Sequence, residues 1–288
     1  MLETKTIGKP CAGKSHARFD EEAQSCISQL WPYSIGFVRV ENVVNVERHG
    51  WHMKISVKEV RRNLKEFSDS AIAQHAQRFF KTGRGEYGEG DKFLGIRVPV
   101  IRKLVRKYLG LPVDEVLVLL MSSFHEERLF ALLMLVQMFS RGSDKEKREI
   151  YELYLSNTKY INNWDLVDSS ASYIVGGYLQ DKDKQRIYEM ARSENLWDRR
   201  ISIMSTFYMI KCNDFSDALK ISEILKNDRE DLIHKAVGWM LREIGKRDSA
   251  AEEEFLRKDY KKMPRTMLRY SIERFPEEKR KAYLNGKI

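Results

Sequence analysis

The sequence predicts an all-α fold, an α-solenoid of HEAT-like helical repeats, and three observations lead there. No proline occurs between Pro112 and Pro264, a gap that suits long helices. Apolar residues recur at helical spacing in Val116–Met121, Leu129–Met138, Ile201–Ile210 and Ile233–Ile244. Arg128, Trp164, Arg200, Lys235 and Arg269 are separated by 36, 36, 35 and 34 residues, and each sits in or early in an apolar-rich stretch. Further helical segments, such as Lys145–Leu155 and Lys184–Ala191, fall between these markers. Two helices per roughly 35 residues is the signature of a helical solenoid.

Residues 1–52 differ from the rest of the chain. They contain Pro10 and Pro32, several glycines and no sustained helical period. Six Lys/Arg balance six Asp/Glu there, so the segment is neutral. The expectation is an N-terminal appendage, disordered or added by a misplaced start site, followed by one repeat domain over 53–288. Ser34–Val46 could form one or two strands. From Met53 the pattern MKISVKEVRRNLKEF opens the helical region. Pro99, Pro112 and Pro264 stand where the first turn of a helix would begin. Capping boxes are expected at Ser123–Glu126, Ser143–Glu146 and Ser249–Glu252. The glycine-rich Gly83–Gly90 reads as a flexible loop between helices. Its literal GxGxxG lacks the preceding strand and the directly following helix that a dinucleotide site needs.

Composition narrows the function. The chain has 288 residues, 42% hydrophobic and 32% charged, enough to build a core. No apolar run approaches the ~20 residues of a membrane span. The first twenty residues show no secretory pattern, and Cys11, Cys26 and Cys212 form no CxxC pair, so a reducing cytoplasm is the default location. The six histidines are scattered and His125-Glu126-Glu127 is not HExxH, so no metal is predicted. The whole net charge of +9 lies in residues 53–288, where forty-five Lys/Arg face thirty-six Asp/Glu. A basic folded region points to a polyanionic partner, most often nucleic acid, although a basic pI alone would also account for it.

The repeat register makes a sharper statement. Equivalent positions of stacked repeats line up along one face, and residues at i and i+4 share a helix face. Asp168 lies four residues after Trp164, and Trp239 four after Lys235. Trp164, Asp168, Arg200, Lys235 and Trp239 should therefore cluster on one surface of the solenoid. In NNWDLVD, residues 162–168, Asn162 or Asn163 can cap a helix and Asp165 can complement its dipole. Asp168 is not explained that way. A carboxylate beside an indole and a guanidinium could stabilise a developing cation.

These residues resemble a known family, the AlkD-type DNA alkylation-repair glycosylases built from HEAT-like repeats. The resemblance covers about residues 60–285. It rests on FLGIRVP at 93–99 followed by IRKLVRKY, on NNWDLVD, on WDRR at 197–200 and on KAVGWMLRE at 235–243. It implies a catalytic set of Trp164, Asp168, Arg200 and Trp239 in a concave DNA-binding face. It also implies backbone contacts from Arg200, Lys235, Arg199, Arg128 and Arg269. The implied activity is monofunctional hydrolysis of the N-glycosidic bond of cationic N3- or N7-alkylated purines, without base flipping. The implied partner is double-stranded DNA carrying such lesions, with no metal or organic cofactor, no membrane and a monomeric protein. The alternative is a non-catalytic helical scaffold that binds DNA structures or a protein.

Overall fold

A computed structural model describes residues 56–288, and the expected appendage at 1–52 lies outside the described residues. The described chain is helical throughout. In order it forms α1 Val57–Glu66, α2 Ser70–Phe79, α3 Val98–Lys107, α4 Val113–Leu120, α5 His125–Arg141 and α6 Asp144–Ser156. A 3-10 turn, Thr158–Tyr160, leads into α7 Trp164–Asp168, a π-helical stretch Ser172–Gly176 and α8 Gly177–Leu179. Then come α9 Gln185–Met190, α10 Leu196–Lys211, α11 Ser216–Leu225, α12 Asp231–Gly245 and α13 Ser249–Asp259. The last elements are α14 Arg265–Ser271, a 3-10 turn at Ile272–Arg274 and α15 Glu277–Leu284. Among the described residues the one β feature is an isolated parallel bridge between Lys92 and Phe124. No described helix is long and apolar enough to cross a membrane.

The helices form two layers of a solenoid. One layer runs α5, the α7–π–α8 segment, α10, α12 and α14, each packing on the next. The other layer is α4, α6, α9, α11 and α13, each packed on its neighbours in the first. The row of markers falls in the first layer without exception. Arg128 is in α5, Trp164 opens α7, Arg200 is in α10, Lys235 in α12 and Arg269 in α14. The apolar stretches that predicted these helices are buried almost all round, as in Leu129–Val136 and Ile201–Phe207. A helix covered on every side has no amphipathic stripe of its own, and its stability comes from neighbours in both layers.

Local signals set the helix ends, with two corrections. Pro99 sits in the first turn of α3, and Pro112 and Pro264 precede α4 and α14 directly. Ser143 and Glu146 form the expected reciprocal capping box at the start of α6. At Ser123–Glu126 the box does not form. Glu126 instead accepts the backbone N–H groups of Leu94, Gly95 and Ile96, which ties the 93–96 segment to α5. At Ser249–Glu252 the cap is Asp248, which accepts from Ala250 and Ala251, while Glu252 is buried. At Glu126 a tertiary contact outcompetes the local pairing, and at Ser249 the neighbouring Asp248 takes the cap instead.

Close approach of first-layer helices depends on two glycines. A Cβ on Gly238 would meet the Met267 carbonyl and the Tyr270 Cβ, each at 2.5 Å. A Cβ on Gly176 would run into the Ser205 carbonyl and the Tyr208 Cβ. The same stitch thus joins the π segment to α10 and α12 to α14. Gly238→Ala should force α12 and α14 apart and destabilise the protein by about 1–3 kcal/mol, read as a lower denaturant midpoint at unchanged slope. A midpoint equal to that of wild type would show that the two helices can separate without loss.

Candidate functional site

The stretch 162–168 is built as the sequence suggests and then departs from it. Asn163 caps α7, accepting the Trp164 N–H through its side chain at 2.9 Å. The helix lasts only five residues before a turn and the π-helical stretch. Trp164 and Asp168, one turn apart, are both buried. From the next repeat, Arg200 meets Asp168 in a two-pronged ion pair, Nε to Oδ1 at 2.9 Å and Nη2 to Oδ2 at 2.8 Å. Its remaining arm donates to the Leu232 carbonyl, at the start of α12. One guanidinium therefore links three successive members of the layer.

Electrostatics at Asp168 is a contest. Burial pushes its carboxyl above the ordinary aspartate range, and the Arg200 charge pulls against that. Two lone-pair directions of the carboxylate are taken by Arg200, so its orientation is fixed by the protein rather than by solvent.

Around Trp164 lies a cluster that no spacing in the sequence indicates. Phe80 stacks on Trp164 with centroids 5.3 Å apart, and Phe79 meets it edge-on at 5.9 Å. Phe80 and Phe93 flank the His125 ring at 4.9 and 4.7 Å. His125 Nε2 bonds Asp165 Oδ2 at 2.7 Å, and Nδ1 reaches Asp91 Oδ2 at 3.3 Å. Arg128 donates to the same Asp91 oxygen at 2.7 Å. Burial pulls the His125 pKa down, but Asp165 and Asp91 together outweigh it and lift it to about 9. The imidazole is thus a buried cation held between two carboxylates. Asp165, expected only to complement the dipole of α7, is one anchor of this network. In the sequence His125 raises only the question of a metal ligand. Its adjacency to Asp91 and Asp165, 34 and 40 residues away, leaves no local signal.

The other predicted residues fall into two groups. Arg128, Arg199 and Arg200 are buried and committed to protein acceptors. Arg199 pairs with Asp228 at 2.6 Å and also donates to the Ser193 and Glu194 carbonyls, and Arg128 adds bonds to Ser122 and Asn162. Each of these three guanidiniums, expected to contact the DNA backbone, here joins parts of the solenoid. Lys235 is half-buried and pairs with Asp231 at 3.1 Å, and Arg269 is exposed. Trp239 is buried, tilted against Phe207 at 6.1 Å, with its indole N–H donating to Glu243 at 3.2 Å. Asp168 and Arg200 are in direct contact, whereas Trp164 and Trp239 are held by different partners. Among the described residues no group of three or more His, Cys, Asp or Glu is placed to hold a metal ion.

The family model of DNA alkylation repair enzymes matches residues 60–275, which is most of the chain and all of this site. The chain belongs to the DNA alkylation repair enzyme family. A predicted DNA alkylation repair enzyme from Enterococcus faecalis has a similar solved structure, with a TM-score of 0.56 at 17% identity, over 73% of this chain and 97% of that one. At that identity the likeness speaks for a shared fold. The structure of smu.31 from Streptococcus mutans UA159 aligns with a TM-score of 0.43 at 20% identity, over 75% of this chain and 95% of that one. No curated protein matched. Membership in the DNA alkylation repair enzyme family agrees with the resemblance carried by NNWDLVD, WDRR and KAVGW.

The charged His125 makes a prediction about stability in this family member. Its folded pKa of about 9 lies above the ordinary 6.5, so it contributes stability that is full below pH 6.5 and lost as pH rises through about 9. The contribution is up to about 3 kcal/mol. In His125→Gln the melting temperature should be lower than wild type at pH 6 and converge on it by pH 10. A constant gap across that range would mean that the buried imidazole is neutral.

Proposed function

We propose that the protein is a monofunctional DNA glycosylase that hydrolyses the N-glycosidic bond of cationic N3- or N7-alkylated purines in double-stranded DNA, without flipping the base. The observation that supports this best is the buried Asp168 carboxylate, fixed by Arg200 one helical turn from Trp164. Alkylation at N3 or N7 gives the purine a positive charge, so it leaves readily. What the site must then supply is stabilisation of an oxocarbenium-like sugar and a water to capture it, the task carboxylates perform in glycoside hydrolysis.

In this reading Asp168 provides the negative charge and orients the water. Arg200 positions the carboxylate, and its charge opposes the burial that raises the carboxyl pKa. Trp164 and Trp239 pack against the deoxyribose and offer π faces to the cationic centre, worth roughly 0.5–2 kcal/mol each. Of the basic residues in the row, Lys235 and Arg269 are accessible to the DNA backbone, on a face taken to be concave. The protein acts as a monomer and needs no metal or organic cofactor for these steps. A carboxylate deeply paired with a guanidinium also suits a purely structural role, and substitution of Asp168 separates the two.

Asp168→Asn should abolish release of 7-methylguanine in single-turnover assays while leaving affinity for abasic or lesion DNA within a few fold. The reason is that Asp168 acts on charge that develops in the transition state. Turnover near that of wild type would remove the carboxylate from the mechanism and favour a non-catalytic DNA-binding scaffold.

Lesion charge gives a second test. The proposed site reads positive charge and bond lability rather than base edges, so 7-methylguanine and 3-methyladenine should be released and the neutral lesions uracil and 8-oxoguanine should not. Efficient uracil excision would point instead to a base-flipping pocket.

A further inference from the structure

The last turn of α12 breaks a local rule. A carboxylate there opposes the negative end of the helix dipole, which favours cations. Glu243 nevertheless stands two residues before the end of α12, and it is buried. Lys246 and Arg247, exposed cations of the kind that suit such a helix end, follow it and turn back to it. Lys246 Nζ donates to Oε1 at 2.5 Å and Arg247 Nη1 to Oε2 at 3.3 Å. The same Arg247 nitrogen also donates to the Glu243 backbone carbonyl at 2.8 Å. Ion pairs three and four residues apart on a helix surface are weak supports. They do not account for an acid placed in the interior against the dipole.

What Glu243 holds inside is Trp239. The indole Nε1, one turn earlier on α12, donates to Glu243 Oε1 at 3.2 Å in a buried hydrogen bond. The backbone that carries both residues is fixed by its neighbours. Gly238 lets α12 approach Met267 and Tyr270 closely, and Arg242 is paired with Glu273. The freedom left to Trp239 is rotation about its two side-chain bonds. Its ring is tilted against Phe207 of α10, with centroids 6.1 Å apart, but apolar contact is non-directional. A hydrogen bond is directional, so the bond to Oε1 selects one orientation of the ring. The two cations orient the carboxylate, and the carboxylate orients the indole.

We infer that Glu243 is a positioning residue for excision: its carboxylate, held by Lys246 and Arg247, fixes the face that Trp239 offers to the sugar. The inference rests on the glycosylase reading for its kinetic consequence, and on the hydrogen bonds alone for the contact. An apolar residue at 243 would leave the indole N–H without this acceptor, whereas a neutral amide would still provide one. Small misplacements of a group at the reacting centre cost up to ~10²-fold in rate.

The test uses the full-length protein and duplex DNA carrying one 7-methylguanine. Glu243→Leu removes the acceptor. It should slow single-turnover release at saturating enzyme by roughly tenfold while the dissociation constant stays within about threefold. Glu243→Gln keeps an acceptor oxygen for the indole and should release within about threefold of wild type. The indole N–H resonance of Trp239, assigned by its loss in Trp239→Phe, should move in Glu243→Leu and stay near its wild-type position in Glu243→Gln. The double variant Lys246→Met, Arg247→Met changes only exposed side chains and leaves the carboxylate unanchored. It should also displace the resonance and slow release, which decides the matter if Glu243→Leu does not fold. Unchanged release in Glu243→Leu, a defect wholly in affinity, a Glu243→Gln enzyme as slow as Glu243→Leu, or a Trp239 resonance that does not move would each overturn the inference. Asp168→Asn is run in parallel. Loss of activity there with normal Glu243→Leu turnover defeats only the role of Glu243, whereas full activity in Asp168→Asn defeats the glycosylase reading and leaves the indole resonance to decide the contact.

Discussion

The buried pair of Asp168 and Arg200 is the interaction on which the site depends. Removing one partner of such a pair leaves an uncompensated charge in the interior, at about 3–5 kcal/mol. The pair costs desolvation on both sides and is a poor device for stability alone. Its geometry is what it supplies, because the fork of Arg200 accepts one orientation of the carboxylate and anchors to α12 through the Leu232 carbonyl. A helix of five residues could not hold its own side chains so firmly.

The same device recurs along the solenoid. Arg199 pairs with Asp228, Lys226 with Asp259 and Arg242 with Glu273, each joining residues about one repeat apart. In a solenoid each repeat touches only its neighbours, so stability is a sum of repeat and interface contributions. Charges placed at those interfaces fix the register of stacking, while Gly176 and Gly238 set how closely it can be done. The site lies within one such interface, so its precision follows from the stacking and needs no separate scaffold.

Two layers of support then converge on α7. On one side the Asp91–His125–Asp165 network, walled by Phe80 and Phe93, pins the residue next to Trp164. On another the glycine-rich loop leans on the Asn163 cap. The π-helical stretch directly after α7 belongs to this pattern, since such irregularities often occur at functional sites and cost regular hydrogen bonding that packing must offset.

The sequence by itself determined the all-α class, the repeat period and the layer in which Arg128, Trp164, Arg200, Lys235 and Arg269 stand. Those properties depend on periodicity and on proline, and both are local along the chain. It also carried the motifs that identify the family. Tertiary structure alone decided that Arg128, Arg199 and Arg200 are buried and paired, because a cation reads the same in sequence whether it faces solvent or a carboxylate about thirty residues away. It decided too that Glu126 abandons its capping box, and that Asp165 meets a histidine rather than only a helix dipole. In each case a contact between distant residues outweighed a local preference worth about 1 kcal/mol, and such contacts leave no spacing to be read.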